Sequence, residues 1–299
     1  MSKSESLVRV GVVYVVAFAA GGAWLAWGPD TAYLWLDGLI ADALATVVVF
    51  GASRLHRNSS FYDAYWSVLP PLLMAAWWLE LGGASARAWL LLGVIVVWSL
   101  RLTGNWIYAY PGLPHEDWRY PSLRARAGRA EAAADLLGIH LFPTVQVFAA
   151  MLPVYVVLTH PGRGLGWLDC LAAAVGLGAV ALSFTADWQM YRFVARRRPG
   201  QAMEQGLWSW SRHPNYFGEF AFWCALALFG LAAAPATWWW VGVGALGMFV
   251  MFQAASIPMM ETRSLERRPG YRDVIDRVPR FVPRPPGIRT PFSTGRARR

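Results

Sequence analysis

The segment Gly206-Leu207-Trp208-Ser209-Trp210-Ser211-Arg212-His213-Pro214-Asn215-Tyr216-Phe217-Gly218-Glu219 gathers groups that could bind an anion or handle a proton. Pro214 suits the first turn of a helix, where its missing N–H costs nothing. Arg212 and His213 then stand just outside a helix N-terminus, whose free N–H groups and positive dipole end attract anions. Asn215 and Glu219 are four apart, so they share one face; Tyr216 follows Asn215 in the motif. Glu219 falls about one turn inside an apolar helix. A carboxylate in lipid is expensive and marks a functional site, unless it serves only to pair with an arginine between helices.

Four other clusters could join it. Ser183, Asp187, Gln189 and Arg192 end an apolar run, followed by Arg196-Arg197-Arg198; that arginine run fits phosphate binding or a plain positive flank to a membrane span. Tyr62, Asp63, Tyr65 and Trp66 open another run. Arg101 and Asn105 precede Glu116-Asp117-Trp118-Arg119-Tyr120. Glu261, Arg263 and Tyr271 lead to Pro279-Arg280-Phe281-Val282-Pro283. Each alone could anchor an interface. Together they place acids, arginines and tyrosines where a large anionic cofactor could meet a lipidic substrate. There is no GxGxxG after a strand, no GxxxxGK[ST] and no HExxH. Cys170 and Cys224 lie in apolar runs without CxxC or zinc spacing, which predicts two buried thiols, no disulfide and no metal site.

The elements that must position these groups are membrane helices. The chain has 299 residues, 56% hydrophobic and only 15% charged, with 18 Trp and a mean hydropathy of +0.34. Soluble domains carry roughly a quarter charged residues. Apolar runs of spanning length fall near Val8–Gly28, Ala32–Ala52, Trp66–Leu81, Ala86–Leu100, Ile139–Thr159, Leu165–Trp188, Tyr216–Ala234 and Trp238–Pro258. The expected fold is all-α, a polytopic membrane helix bundle of about eight transmembrane helices. The first run reads as a retained helix rather than a signal peptide. With both termini cytoplasmic, all 27 Lys and Arg except Arg87 and Arg163 fall on the inner side. The net charge of +9 is therefore assigned to cytoplasmic loops and membrane lipid, and no nucleic acid partner is expected. Residues 1–283 read as a single domain, with 183–283 as the cofactor-binding part. Residues 284–299 read as a disordered Arg/Pro-rich tail. Nothing in the pattern sets an oligomeric state.

The motif from Ser211 to Glu219 resembles the C-terminal signature of the steroid 5-alpha reductase-like integral membrane family, which includes sterol C14 reductases. The likeness extends to Asp187, to Glu261, Tyr271 and Phe281-Val282-Pro283, and loosely to Glu116-Asp117-Trp118-Arg119-Tyr120. The Arg-His-Pro-x-Tyr core is similar to that of isoprenylcysteine carboxyl methyltransferases, which use S-adenosylmethionine. Asn215 and Glu219 tilt the resemblance toward the reductases. It implies NADPH as cofactor, with Asp187, Arg212, His213, Asn215 and Glu219 in or beside the binding motif; Arg192, Tyr216, Glu261, Arg263 and Tyr271 complete the candidate cofactor-binding set. It also implies reduction of a carbon–carbon double bond in a lipophilic small-molecule substrate, in a bacterial inner membrane. The family's Gln-Glu pair for the substrate carbonyl has no counterpart here; Asp63 and Tyr65 are the nearest equivalents, and Trp98 stands roughly where its Tyr would be. Asp63 or Tyr65 is the expected proton donor, with Glu219 beside the cofactor. The alternatives are a membrane methyltransferase and a non-catalytic membrane protein.

Overall fold

The computed structural model describes residues 1–82, 85–268 and 270–285. The tail beyond residue 285, where disorder is expected, lies outside them. Among the described residues the long elements are all helices. In chain order they are α1 Lys3–Trp27, α2 Leu34–His56, α3 Tyr65–Leu81, α4 Ala86–Ala109, α5 Arg119–Ala127 and α6 Glu131–Ala134. There follow α7 Phe142–Thr159, α8 Trp167–Val194, α9 Pro214–Ala233, α10 Val243–Met251, α11 Ile257–Arg267 and α12 Tyr271–Arg277. Wider π-helical turns at Asp135–Leu141 and Phe252–Ser256 lead into α7 and α11.

Counting Arg119–Thr159 and Val243–Arg267 as continuous, seven helices among the described residues are long and apolar enough to cross a membrane. The third expected run is α3, whose 17 residues extend about 26 Å at 1.5 Å per residue. That is short of roughly 30 Å of hydrocarbon, so about eight expected spans become seven full-length helices and one shorter. Two run boundaries also move. Helix α4 continues past Leu100 to Ala109, through Gly104, because no proline intervenes before Pro111. Helical structure precedes Ile139 from Arg119 onward. The cysteines are not buried as expected: Cys170 is exposed and Cys224 half-buried. In a membrane protein an apolar run can face lipid as readily as a core, so apolar context does not imply burial.

The chain divides into two compact units, residues 1–177 with 223–248, and residues 178–222 with 249–299. In the first unit, α1 starts at a capping box formed by Ser2 and Glu5. Its buried stripe Ser6, Val10, Tyr14, Ala17 and Gly21 follows the helical repeat. Gly21 allows a close crossing, since a Cβ there would lie 2.9 Å from the Ala41 carbonyl oxygen of α2. In α3, Pro71 has no N–H to give to the Ser67 carbonyl. Ser99 of α4 supplies the missing donor, its Oγ 2.7 Å from that oxygen. Thr46 of α2 and Thr144 of α7 share a hydrogen bond of 2.8 Å. At the other end of α4, the guanidinium of Arg87 meets Asp169 through two contacts, Nε–Oδ1 at 2.6 Å and Nη2–Oδ2 at 3.0 Å. Its remaining donors reach the carbonyls of Arg163 and Gly164, so one buried pair clasps the α7–α8 connection.

Helices α7 and α10 touch backbone to backbone at Gly244, where a Cβ would sit 2.2 Å from Ala150 Cα. No flexible side chain can yield there. Gly244→Ala should therefore destabilise the protein by about 1–3 kcal/mol, read as a lowered melting temperature in detergent, whereas Gly242→Ala, which meets open space, should leave it unchanged.

Candidate functional site

The second unit holds the motif at the start of α9. Pro214 opens that helix, as its sequence position suggests. Arg212, just before it, is 9% exposed and almost fully engaged. Its Nε donates to Glu261 Oε1 of α11 at 2.7 Å. Its Nη1 donates to the carbonyls of Ile275 and Val278, each at 2.8 Å. Its backbone N–H reaches the carbonyl of Pro279 at 2.8 Å. A guanidinium has five N–H donors, so at most the two on Nη2 remain for a ligand. His213 Nε2 lies 3.2 Å from the same Glu261 oxygen. Burial pulls the imidazole below its ordinary value, against the opposing pull of Glu261. Ser211 Oγ donates to the carbonyl of Phe281 at 2.8 Å, and Arg284 N–H to that of Trp210. The tail is thus sewn to the residues before α9.

One turn further on, the acids meet the motif's amide. Asn215 Nδ2 donates to Asp187 Oδ1 of α8 at 3.1 Å, and Ser183 Oγ donates to the Asn215 carbonyl at 3.3 Å. Gly218 makes this approach possible, because a Cβ there would fall 2.1 Å from Ser183 Oγ and 2.9 Å from the Ala179 carbonyl. Glu219 is 7% exposed. His213 stacks on Tyr216 with ring centroids 5.6 Å apart, and Tyr216 on Phe252 at 4.8 Å, all close to parallel. Phe281 packs against Phe217, Phe220 and Phe249. Tyr271 packs with Val274 and Val278. Burial, and then the charge of Glu261, push its hydroxyl up to about 12, so its ring acts as a core anchor. Arg263 is half-buried on α11, and Arg192 exposed on α8. Among the described residues two buried donors in this unit, Gln253 Nε2 and Arg280 Nε, have no hydrogen-bond partner, though Arg280 Nε lies 3.7 Å from Glu261 Oε2. The sequence marked Arg280 only as part of the tail and did not mark Gln253.

Asp63 and Tyr65 belong to the first unit. They are not equivalent. Tyr65 is fully buried among Tyr14, Phe18 and Tyr62, and its hydroxyl donates to Asp42 Oδ1 at 2.8 Å. Asp63 is half-buried and accepts a short hydrogen bond from the Tyr120 hydroxyl. Burial pushes its carboxyl up to about 6, against the opposing effects of Tyr120 and Arg119. Tyr120 lies in the first turn of α5, which is tied to the preceding loop by Arg119 to Asp117 at 2.9 Å and Arg124 to Glu116 at 2.5 Å. Glu116 also accepts from Ser59 N–H at 2.7 Å. Trp98 is buried, edge-on to Trp66 at 6.0 Å and Trp223 at 5.1 Å. Sequence reasoning passed over Asp42, Asp135 and His140. All three are buried, and an acid inside an apolar run is the signal that could have flagged Asp42.

Arg212→Lys keeps the charge but cannot reproduce the forked contacts to Glu261, Ile275 and Val278. It should cost about 1–3 kcal/mol and expose the segment from Tyr271 to Arg284 to limited proteolysis. Retained protection with an unchanged melting temperature would show that the fork is not what holds this segment.

Residues 49–278 match the family described as Protein of unknown function (DUF1295). The chain is also similar to the uncharacterized protein C594.04c of Schizosaccharomyces pombe, 28% identical over 273 residues, which cover 83% of this chain and 79% of that protein. No solved structure matches. The family match spans most of the chain, from α2 to the end of α12, and includes the whole motif around Arg212 and Glu219: this integral membrane protein belongs to the DUF1295 family.

Proposed function

We propose that this protein is a membrane-embedded reductase that uses NADPH to saturate a carbon–carbon double bond in a lipophilic substrate of steroid, sterol or isoprenoid type. This reading places the chain with the steroid 5-alpha reductase-like proteins. The observation that carries it is the buried polar assembly of the second unit. Arg212, His213 and Glu261 are locked together, Asn215 is bonded to Asp187, and Glu219 is buried on the next turn. Such groups are costly in a membrane protein, and a helix start needs none of them merely to anchor itself.

The residues fit a phosphorylated dinucleotide. Arg192, Arg196, Arg197 and Arg198 are exposed and suited to phosphates, including the 2′-phosphate that separates NADPH from NADH. The unmet donor of Gln253 suits a polar substituent of a planar ring. Arg212 and His213 act chiefly by holding Glu261 and the tail, while Asn215, Glu219 and Asp187 present polar groups. When bound, NADPH supplies a hydride for an electrophilic carbon of the alkene. The proton is assigned to Asp63 in preference to Tyr65. Asp63 is partly accessible and close to half-protonated near pH 6, whereas the Tyr65 hydroxyl is buried and engaged with Asp42. Tyr120 holds the Asp63 carboxyl in place. With the arginine-rich face inward, both termini are cytoplasmic and the cofactor comes from the cytosol; in a bacterium this is the inner membrane.

A second reading has a specific observation in its favour. Asp187 and Glu219 would also suit the cationic sulfonium of S-adenosylmethionine, making the protein a methyltransferase. NADPH should stabilise the purified protein thermally, increasingly with concentration, and NADH less. Stabilisation by S-adenosylmethionine alone would favour the methyltransferase, and by neither cofactor a non-catalytic protein. Asp63→Asn should lower turnover by about a hundredfold or more while leaving stabilisation by NADPH intact. Because the acid must be protonated to donate, wild-type turnover should fall as pH rises through about 6, and the residual activity of Asp63→Asn should lose that limb. A profile unchanged in the variant would remove Asp63 from the proton-transfer step.

A further inference from the structure

Deep in the first unit, two polar groups, one on α2 and one packed against it from α3, lack hydrogen-bond partners among the described residues. Asp42 is 2% exposed. Its Oδ1 accepts from Tyr65, but its Oδ2 has no hydrogen bond among the described residues. Trp77 of α3 is 1% exposed, packed edge-on against Phe148 at 5.7 Å and Tyr155 at 5.3 Å. Its indole Nε1–H has no acceptor among the described residues. The two meet over Gly38. A Cβ at Gly38 would lie 2.8 Å from Trp77 Nε1, so the indole N–H stands directly against the bare backbone there. Gly38 and Asp42 are four apart and share a face, about 6 Å apart along the axis.

Buried donors and acceptors are almost always satisfied, so two orphans one helical turn apart point to a ligand. Its chemistry is narrow. The indole N–H turns away a cation, and the carboxyl turns away an anion. A hydroxyl can accept from Trp77 and, by donating or accepting, serve Asp42 in either protonation state. We propose that Gly38, Asp42 and Trp77 form an intramembrane binding site for a hydroxyl group, carried by a lipid alcohol or by water. The site goes beyond the reductase reading and uses none of the residues assigned to it.

Infrared difference spectra of the protein in nanodiscs test the proposal, with 1-dodecanol as probe, dodecane as apolar control, and hydration of a dried film as the water arm. The Asp42 carboxyl band is identified by its loss in Asp42→Asn. It should shift with 1-dodecanol but not dodecane if lipid alcohol is the occupant, and with hydration alone if water is. Trp77→Phe keeps a ring against Phe148 and Tyr155 while removing the donor. It should weaken the 1-dodecanol response roughly threefold to tenfold, or abolish the hydration shift, with an unchanged melting temperature confirming the fold. A band that moves in neither arm, that moves equally with dodecane, or that responds alike in Trp77→Phe would overturn the proposal.

Discussion

An arginine and a glutamate taken out of water near a membrane must each find full partnership. Arg212 and Glu261 satisfy that demand in the second unit, and much of the unit depends on how they do it. A buried ion pair repays desolvation only when its remaining donors and lone pairs are also bonded. Arg212 therefore recruits the carbonyls of Ile275 and Val278, and Glu261 recruits His213. The consequence is architectural. The carbonyls exist in the right place only if the chain turns back after α11 and runs through α12 toward Phe281. Breaking either partner of such a pair costs about 3–5 kcal/mol, so the fold of the tail and the integrity of the α9 start are one property. This leaves Asn215 and Glu219 on a rigid helix end, the condition for a preorganised binding site.

The same rule governs the first unit, with different hardware. A proline removes a donor and a serine from the next helix replaces it, as at Ser67, Pro71 and Ser99. Arg87 and Asp169 form a two-contact pair, completed by backbone carbonyls. Asp135 is 1% exposed and takes Ser59 Oγ at 2.7 Å, with Arg54 and Arg124 close by. Each group is answered locally. Against that background a few buried atoms stay unmet among the described residues: Trp106 Nε1 and the Tyr110 hydroxyl, and Asp42 Oδ2 and Trp77 Nε1, the two groups that flank Gly38.

The helices were legible because apolar runs of spanning length leave few alternatives, and Pro214 marked the start of α9 through its missing N–H. The grouping of Arg212, His213, Asn215, Asp187 and Glu261 was legible as well, because polar side chains beside apolar runs have few places to go. What each does there was not. Backbone carbonyls have no signature in a sequence, so the commitment of Arg212 to Ile275 and Val278 left no trace. Tyr65 and Asp63 look alike at the start of a span, yet the backbone path sends one hydroxyl to Asp42 and leaves the other carboxyl half-exposed. Cys170 shows the same limit, since composition cannot separate a lipid-facing position from a core one.

The central claim is that the polar assembly of the second unit holds NADPH for hydride transfer to a lipid. Its most direct test uses NADPH deuterated at the transferable position, added to membranes containing the protein, with mass spectrometry of the extracted lipids. The account predicts deuterium in a new carbon–hydrogen bond of a lipophilic product, with wild-type protein and not with Asn215→Ala or Glu219→Gln. Lipids that gain no deuterium but take a labelled methyl group from S-adenosylmethionine would contradict it.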